Sequence, residues 1–213
     1  MGFKDQLKKH APGLQILSRS ARRYFQTFSE IHECMGRSYA APAPWIIKRA
    51  VIRRNALPGG TFVETGTYMG DTAAYAAKFS AKVITLEPFH RLYCEAHNRF
   101  RHSPSVELIN AASEAAFPAL LPGLSGHVTF WLDAHYSGEG TFIGQHISPI
   151  EIELAAIGEQ IGRYAKCVVM VDDMRGFGLS PGYPVPEAVV QWAVTNDLDW
   201  HIEHDILVMT KRV

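Results

Sequence analysis

The 213-residue sequence predicts an α/β protein with a doubly wound, mostly parallel β-sheet that is preceded by helices. From residue 61 onward, short apolar runs rich in β-branched residues alternate with segments of helical periodicity. Four of these runs end in or beside an acidic residue, as in TFWLDAHYSG at 129–138. An alternating segment near the carboxyl terminus completes the pattern. Together these observations predict a seven-stranded sheet that is covered on both faces.

Two helices are predicted ahead of the sheet. Residues 14–34 carry apolar side chains at roughly helical spacing, and residues 44–56 show a second helical segment with a basic face. The LPGG stretch at 57–60 ends this section, because proline and glycine interrupt regular structure.

Strands and helices then alternate. The predicted strands are 61–65, 82–87, 106–110, 127–133 and 166–173, and the predicted helices are 70–80, 90–100, 113–121 (interrupted by Pro118), 148–161 and 186–196. Such alternation predicts crossover connections and parallel neighbours. Residues 199–212 alternate and break near His204, which predicts a final strand pair with an antiparallel C-terminal strand.

The composition is that of a globular protein, with 47% hydrophobic and 20% charged residues. No window approaches the roughly 18 uncharged apolar residues of a membrane span, so we expect no transmembrane segment. The first residues lack the apolar centre of a signal peptide. Cys34, Cys94 and Cys167 form no metal or disulfide pattern, so we expect reduced thiols and a cytoplasmic location.

The net charge of zero is divided unevenly along the chain. Residues 1–58 hold 11 Lys and Arg against 3 Asp and Glu, and residues 59–213 hold 10 against 18. We therefore predict a basic helical extension at 1–58 and a ligand-binding domain at 59–213. The acidic domain suits a metal or a cationic cofactor better than nucleic acid. The basic extension could be a solvated helical surface, or it could contact anionic lipid, a polyanionic glycan or a second copy in a homo-oligomer.

Acidic residues mark the ends of four predicted strands. They are Glu64, Glu87, Asp133, Asp172 and Asp173. In a doubly wound sheet, ligands bind beyond the carboxyl ends of the strands, near the point where the strand order reverses. These acids therefore identify the candidate site.

The first strand leads into the turn ETGTYMGDT, in which Gly66 and Gly70 let the backbone approach a ligand closely. The candidate cofactor-binding residues of this turn are Glu64, Thr65, Gly66, Thr67, Tyr68, Gly70, Asp71 and Thr72. The pattern is not GxGxxG, and an acid at a helix N-terminus disfavours pyrophosphate, so a nicotinamide or flavin dinucleotide is not expected. A cofactor with a cationic or amino-bearing end suits these acids better.

A carboxylate follows the second strand at the distance that adenosine cofactors use. Glu87 lies 23 residues after Glu64, and its two oxygens could accept hydrogen bonds from both ribose hydroxyls. Pro88 follows it and is included among the candidate cofactor-binding residues.

The acids of the fourth and fifth strands suit a hard cation. Asp133, Asp172 and Asp173 come from neighbouring strand ends, and oxygen-only ligation selects magnesium, calcium or manganese. A bound divalent ion would orient a substrate hydroxyl, and His135 could accept its proton near neutral pH. Alternatively, the Asp-Asp pair could form only a cap and turn, and His135 could hydrogen bond only within its loop.

Four segments together resemble a known family: FVETGTYMGDT, VITLEPFHRLYCEA, FWLDAHYSG and VVMVDDMRGFG. Over about residues 60–213 the chain resembles class I S-adenosylmethionine-dependent methyltransferases, which have a Rossmann-like fold. It is most similar to the metal-dependent sugar O-methyltransferases of the macrocin O-methyltransferase type. The resemblance implies magnesium at Asp133, Asp172 and Asp173, and places His135 at the position of the base. The family's adenine-binding acid is replaced by Ala112, so Ser113 or a backbone group is expected to bind adenine instead.

The leading hypothesis is therefore magnesium-assisted methyl transfer from S-adenosylmethionine to a hydroxyl of a sugar, glycan or natural product, with Asp133 and His135 as catalytic residues. Two alternatives remain open: a catechol-like phenol as acceptor, and an adenosine-cofactor-binding module without catalysis. The sequence does not identify the acceptor.

Overall fold

The computed structural model describes residues 19–133, 148–180 and 182–212, with side chains from residue 25 onward. Two helices come first, α1 (Arg19–Gly36) and α2 (Trp45–Asn55). The strands are β1 (Thr61–Thr65), β2 (Lys82–Leu86), β3 (Val106–Ile109), β4 (Gly126–Leu132), β5 (Tyr164–Val171), β6 (Leu198–Glu203) and β7 (Ile206–Lys211). The remaining helices are α3 (Asp71–Ala76), α4 (His90–Phe100), α5 (Ser113–Leu120), α6 (Ile150–Gln160) and α7 (Pro186–Thr195).

The seven strands form one sheet in the order β3-β2-β1-β4-β5-β7-β6. The pairs β1–β2, β2–β3, β1–β4 and β4–β5 are parallel, and β7 is antiparallel to both β5 and β6. This confirms the predicted fold class, including the antiparallel C-terminal strand. The strand order reverses between β1 and β4, which makes the carboxyl ends of these two strands the topological switch point.

The sheet is buried on both faces, which explains why its central strands are almost continuously apolar. Val63 of β1 and Phe130 of β4 belong to one buried cluster, whereas Phe62 and Trp131 belong to the cluster on the opposite face. This alternation follows from the two-residue period of a strand. The central strands are thereby fixed as the rigid support of the candidate site.

Helix α2 packs into the second of these clusters. Val51 and Ile52 are buried against the sheet. At the end of the helix, Asn55 Nδ2 donates to Glu203 Oε1 at 2.8 Å, and the Leu57 amide donates to Thr129 Oγ1 at 3.0 Å. The predicted basic extension thus supplies one helix to the packed body of the protein, while the domain boundary at residue 58 stays a prediction.

Two helices differ from the sequence-based expectation. Helix α3 ends at Ala76 and not near residue 80, because Phe79 leaves the helix to pack edge-on against Tyr75 and Phe62, and its carbonyl accepts the Gly59 amide at 2.8 Å. Helix α5 continues through Pro118 to Leu120, and Phe117, which is buried in the core, helps to hold it. Within the described ranges, no helix is long and apolar enough to cross a membrane.

Candidate active site

The predicted acids lie at one edge of the sheet. Thr65 at the end of β1 pairs in register with Leu86 and Leu132, and Leu132 pairs with Val171 at the end of β5. The acids at 64, 87, 133, 172 and 173 therefore lie at or just beyond strand ends that are level with one another. Asp133 and Asp172 line one small cavity, together with Glu153 and Tyr183. The structure thus brings these acids to one edge of the sheet, and their roles stay predictions.

The turn after β1 adopts the backbone conformation that its glycines permit. Gly66 has φ +84° and Gly70 has φ +71°, both in the left-handed region. The amides of Gly66 and Thr67 both donate to the Leu86 carbonyl, at 3.1 and 3.0 Å, so the turn is tied to the end of β2. Tyr68 also has a positive φ of 47°, and it is largely exposed. A strained non-glycine residue in such a turn is a feature that often accompanies a functional site.

Glu64 is almost completely buried and lies at the end of a hydrogen-bond chain. Thr85 Oγ1 donates to Glu64 Oε2 at 2.5 Å, and Thr67 Oγ1 lies 2.6 Å from Thr85 Oγ1. Since Thr85 uses its only proton on Glu64, Thr67 must be the donor to Thr85. Burial raises the pKa of Glu64 from 4.5 to about 8, although hydrogen bonds from Thr85 and Thr72 oppose this shift. Glu64 is thus a buried acid that a nearby positive charge would readily ionise.

Glu87 is oriented by the backbone around it. Its Oε2 accepts the Tyr68 amide at 2.8 Å and its Oε1 accepts the Phe89 amide at 3.0 Å. Burial raises the pKa of Glu87, and these two amides partly offset the effect. The carbonyls of Glu87 and Pro88 accept hydrogen bonds from Asn110 Nδ2. The carboxylate is therefore fixed beside the glycine turn, and each oxygen keeps a second lone pair.

Asp71, at the start of α3, forms an ion pair. Its Oδ1 lies 2.9 Å from Arg99 Nη1, and the same guanidinium nitrogen donates to the Met69 carbonyl. Arg99 thereby joins α4 to the glycine turn. The pair stabilises the turn, which is an additional reason for an acid at this position.

Lys48 of α2 reaches the acids that follow β5. Its Nζ lies 2.5 Å from Asp172 Oδ2 and 3.1 Å from Asp173 Oδ1. Asp173 also accepts a hydrogen bond from Arg175 Nη1 at 2.6 Å, and Arg175 in turn pairs with Asp205. Asp173 has φ +60°, a strained conformation for a non-glycine residue. Two cationic side chains thus hold the acid pair that was predicted to bind magnesium.

The electrostatics of this cluster reflect burial as well as charge. Burial disfavours the charged form of Lys48, but the carboxylates of Asp172 and Asp173 outweigh it and raise the pKa of the ammonium. Burial and the neighbouring Asp133 raise the pKa of Asp172, and Lys48 opposes them. Burial and the three aspartates raise the pKa of Tyr183 to about 12. Lys48 and Arg175 therefore balance part of the negative charge of this cavity, and the raised pKa of Asp172 reduces it further.

Glu153 of α6 is a site residue that the sequence reasoning missed. It is fully buried, and its Oε1 has no hydrogen-bond partner among the residues that the structure describes. Burial raises the pKa of Glu153 to about 7, while hydrogen bonds from Ser113 and Thr65 lower it. The sequence did contain a signal that Glu153 is buried, namely its spacing. Glu153 shares the buried face of α6 with Ile150, Leu154 and Ile157.

The remaining site predictions have different outcomes. Ser113 is buried and faces Glu153. The Asp133 amide donates a hydrogen bond to Thr65 Oγ1 at 3.3 Å. His135 lies outside the described residues, so its role as base stays a prediction. Across residues 19–133, 148–180 and 182–212, no group of three or more His, Cys, Asp or Glu side chains could hold a metal ion.

Comparison with known proteins identifies the fold. No protein-family model and no curated protein matches this chain. A Streptococcus mutans protein assigned as a methyltransferase, solved with S-adenosylhomocysteine, is 12% identical with a TM-score of 0.52, covering 81% of this chain and all of the other. An assigned rRNA methylase of Clostridium thermocellum is 13% identical with a TM-score of 0.56, covering 82% of this chain and all of the other.

A third similar structure is Aeropyrum pernix fibrillarin with bound S-adenosyl-L-methionine, at 10% identity and a TM-score of 0.51 over 76% of this chain and 73% of the other. At sequence identities this low, the similarity identifies the fold but not the substrate. The fold of this chain is the Rossmann-like fold of class I S-adenosylmethionine-dependent methyltransferases.

Proposed function

We propose that this protein is an S-adenosylmethionine-dependent O-methyltransferase. The observation that carries the proposal is the pair of buried carboxylates, Glu64 and Glu87, on either side of a glycine turn at the switch point. Adenosine cofactors bind at this place in doubly wound sheets. The methyltransferase fold supports the same assignment.

The residues present fit this cofactor by charge and by shape. S-Adenosylmethionine, when bound, supplies a methyl group on a positively charged sulfur, whose transfer to oxygen leaves S-adenosylhomocysteine. Glu64 would ionise next to a positive charge, because such a charge opposes the burial and the neighbouring Asp133 and Glu87 carboxylates that raise its pKa to about 8. Glu87 keeps lone pairs for two ribose hydroxyls, and the left-handed backbone at Gly66 and Gly70 forms the turn beside it.

The remaining turn residues complete the proposed cofactor site. They are Thr65, Thr67, Tyr68, Asp71 and Thr72, with Pro88, Ser113 and Asp133 from the neighbouring strand ends. Ser113 is the weakest member of this set, because its hydroxyl already faces Glu153.

The acceptor side of the reaction needs a bound hydroxyl and a route for its proton. Asp133 and Asp172 line the cavity at the switch point, where they could hold an acceptor hydroxyl. We propose that His135 takes the proton, which typically contributes roughly 10²–10⁴-fold to the rate. Alignment of the two reactants could contribute about 7–11 kcal/mol, so positioning is expected to matter more than the base.

The proposed acceptor is a hydroxyl of a sugar, glycan or natural product, with a catechol-like phenol as the alternative. The acidic composition predicted no nucleic-acid acceptor, but one structure of similar fold is an assigned rRNA methylase. RNA therefore belongs in the substrate screen. A third possibility is an adenosine-binding module without catalysis.

Magnesium is left out of this proposed mechanism. Of the three predicted ligands, Asp172 and Asp173 each have one carboxylate oxygen hydrogen bonded to Lys48, so the described residues, as arranged, do not fit a divalent ion.

Calorimetry with S-adenosylmethionine and S-adenosylhomocysteine tests the cofactor assignment. Binding to the wild type is expected, and Glu87→Gln should weaken it, with Glu107→Gln on the exposed edge of β3 as the matched control. Mass spectrometry of sugars, catechols and a short RNA incubated with S-adenosylmethionine then searches for one added CH₂. Absence of cofactor binding would reject the proposal, and binding without a methylated product from any panel member would favour the non-catalytic module.

A further inference from the structure

Lys48 is the residue whose position the predicted function does not explain. It belongs to α2, 124 residues before Asp172 in sequence, yet its Nζ lies within 3.1 Å of both Asp172 and Asp173. The Lys48 side chain is 17% exposed and that of Asp172 only 1%, so the ion pair is largely shielded from water. The pair therefore differs from a solvent-exposed salt bridge, which typically contributes little to stability.

The helix that carries Lys48 is firmly placed. Residues 48, 52 and 55 recur at helical spacing and lie on one face of α2. Ile52 on this face is fully buried, and Asn55 donates to Glu203. Lys48 is therefore held at the carboxyl edge of the sheet by a packed helix and not by a loop.

The Lys48 ammonium occupies the position that a divalent ion bound to Asp172 and Asp173 would need. A metal requires its ligand oxygens at about 2.0–2.6 Å. One oxygen of each of Asp172 and Asp173 is already bound to Lys48 Nζ, and Asp173 is bound to Arg175 as well. A divalent ion could reach both carboxylates only by displacing Lys48 or by lying next to its positive charge.

We propose that Lys48 is the resident cation of the acceptor pocket and that the protein works without a divalent metal. An ammonium has three N–H donors, and the described carboxylates accept two of them. In the proposed reaction, the third donates to the acceptor hydroxyl oxygen and stabilises negative charge as that oxygen loses its proton. This role rests on the proposed function, whereas the exclusion of metal does not.

A metal-binding measurement tests the inference without cofactor or acceptor. Full-length wild type, Lys48→Ala and Lys48→Arg are titrated with Mn²⁺ up to about 1 mM, and free Mn²⁺ is followed by its electron paramagnetic resonance signal. The wild type and Lys48→Arg are expected to bind no Mn²⁺ up to this limit, and Lys48→Ala to bind it with a dissociation constant at least about tenfold below the limit. Arg53→Ala is the matched control, because Arg53 is on the same helix but lies over the Phe79 ring.

Specificity is checked by a double variant. Lys48→Ala with Asp172→Asn should lose the Mn²⁺ binding that Lys48→Ala gains, because one of the ligand carboxylates is removed. If Lys48→Ala is too unstable to purify, the melting temperature of Lys48→Gln with and without Mn²⁺ replaces the titration. A rise for Lys48→Gln but not for wild type supports the proposal.

Two results overturn it. Equal Mn²⁺ binding by wild type and Lys48→Ala would show that a metal enters the site despite the lysine. Binding by neither would show that Lys48 is not what keeps the metal out. Because S-adenosylmethionine is absent from this experiment, its outcome is separate from that of the calorimetric test of function.

Discussion

The pH dependence of stability offers a direct test of the buried acid at the switch point. Burial raises the pKa of Glu64 from its ordinary value of 4.5 to about 8. A tenfold change in a protonation equilibrium corresponds to about 1.4 kcal/mol, so ionisation of Glu64 costs the fold on the order of 5 kcal/mol at high pH. The substitution Glu64→Gln replaces the acid with a neutral side chain and removes this ionisation cost.

The sign follows from where the proton is bound. Below pH 4.5 both the folded and the unfolded chain keep the proton on Glu64. Between pH 4.5 and about 8 the unfolded chain releases it while the folded chain retains it, so the wild type loses stability as pH rises. The free energy of unfolding of Glu64→Gln, relative to wild type, should therefore increase through this range and level off above it.

The assay is urea unfolding of the cofactor-free protein at intervals from about pH 5 to 9, followed by tryptophan fluorescence. Trp131 is a suitable reporter because it is buried and pairs in register with Glu64. Glu107→Gln, which removes a half-exposed partner of Lys82, is the control and should change stability by less than about 1 kcal/mol. A constant difference between Glu64→Gln and wild type across the whole range would refute the argument.

The other predictions concern the cofactor turn and the buried acid of α6. Gly70→Ala should lower the free energy of unfolding, measured with urea, by about 1–3 kcal/mol, because φ at this position is +71° and the new Cβ would lie 2.7 Å from the Phe100 ring. The control Gly123→Ala, which has open space around it, should have little effect. Glu87→Ala should weaken S-adenosylhomocysteine binding at least about tenfold by calorimetry, and an unchanged affinity would exclude a ribose contact. Glu153→Gln should gain up to about 3 kcal/mol over wild type between pH 5 and 8, since the folded pKa is raised to about 7; a loss of stability at pH 8 would contradict this.

Most of the fold could be predicted from the sequence because the central strands are buried on both faces. Their apolar runs stand out from the helical segments, and the acid after each run marks where the strand leaves the core. The predicted strand 61–65 coincides with β1, and the other four parallel strands differ by one or two residues at their ends. The end of α3 was less predictable, because it depends on Phe79 packing against Phe62 of another element.

The site was predicted where it depends on strand ends and was missed where it depends on helix packing. Glu64, Glu87 and Asp133 lie at one edge because parallel strands end there. Lys48 was assigned to a basic surface, since its pairing with Asp172 joins parts of the chain 124 residues apart. Lys48 and Glu153 share a signal that can be read in retrospect: each is a charged residue at helical spacing from apolar residues that are buried.

The anchoring of α2 has a practical consequence for any attempt to divide the chain. A fragment that starts at residue 59 would retain all seven strands, but it would lack the lysine that neutralises Asp172 and Asp173. It would also uncover the side of the sheet that Val51 and Ile52 occupy. We expect such a fragment to aggregate or fail to express in soluble form, and a fragment that begins before Trp45 and keeps this helix to express in soluble form.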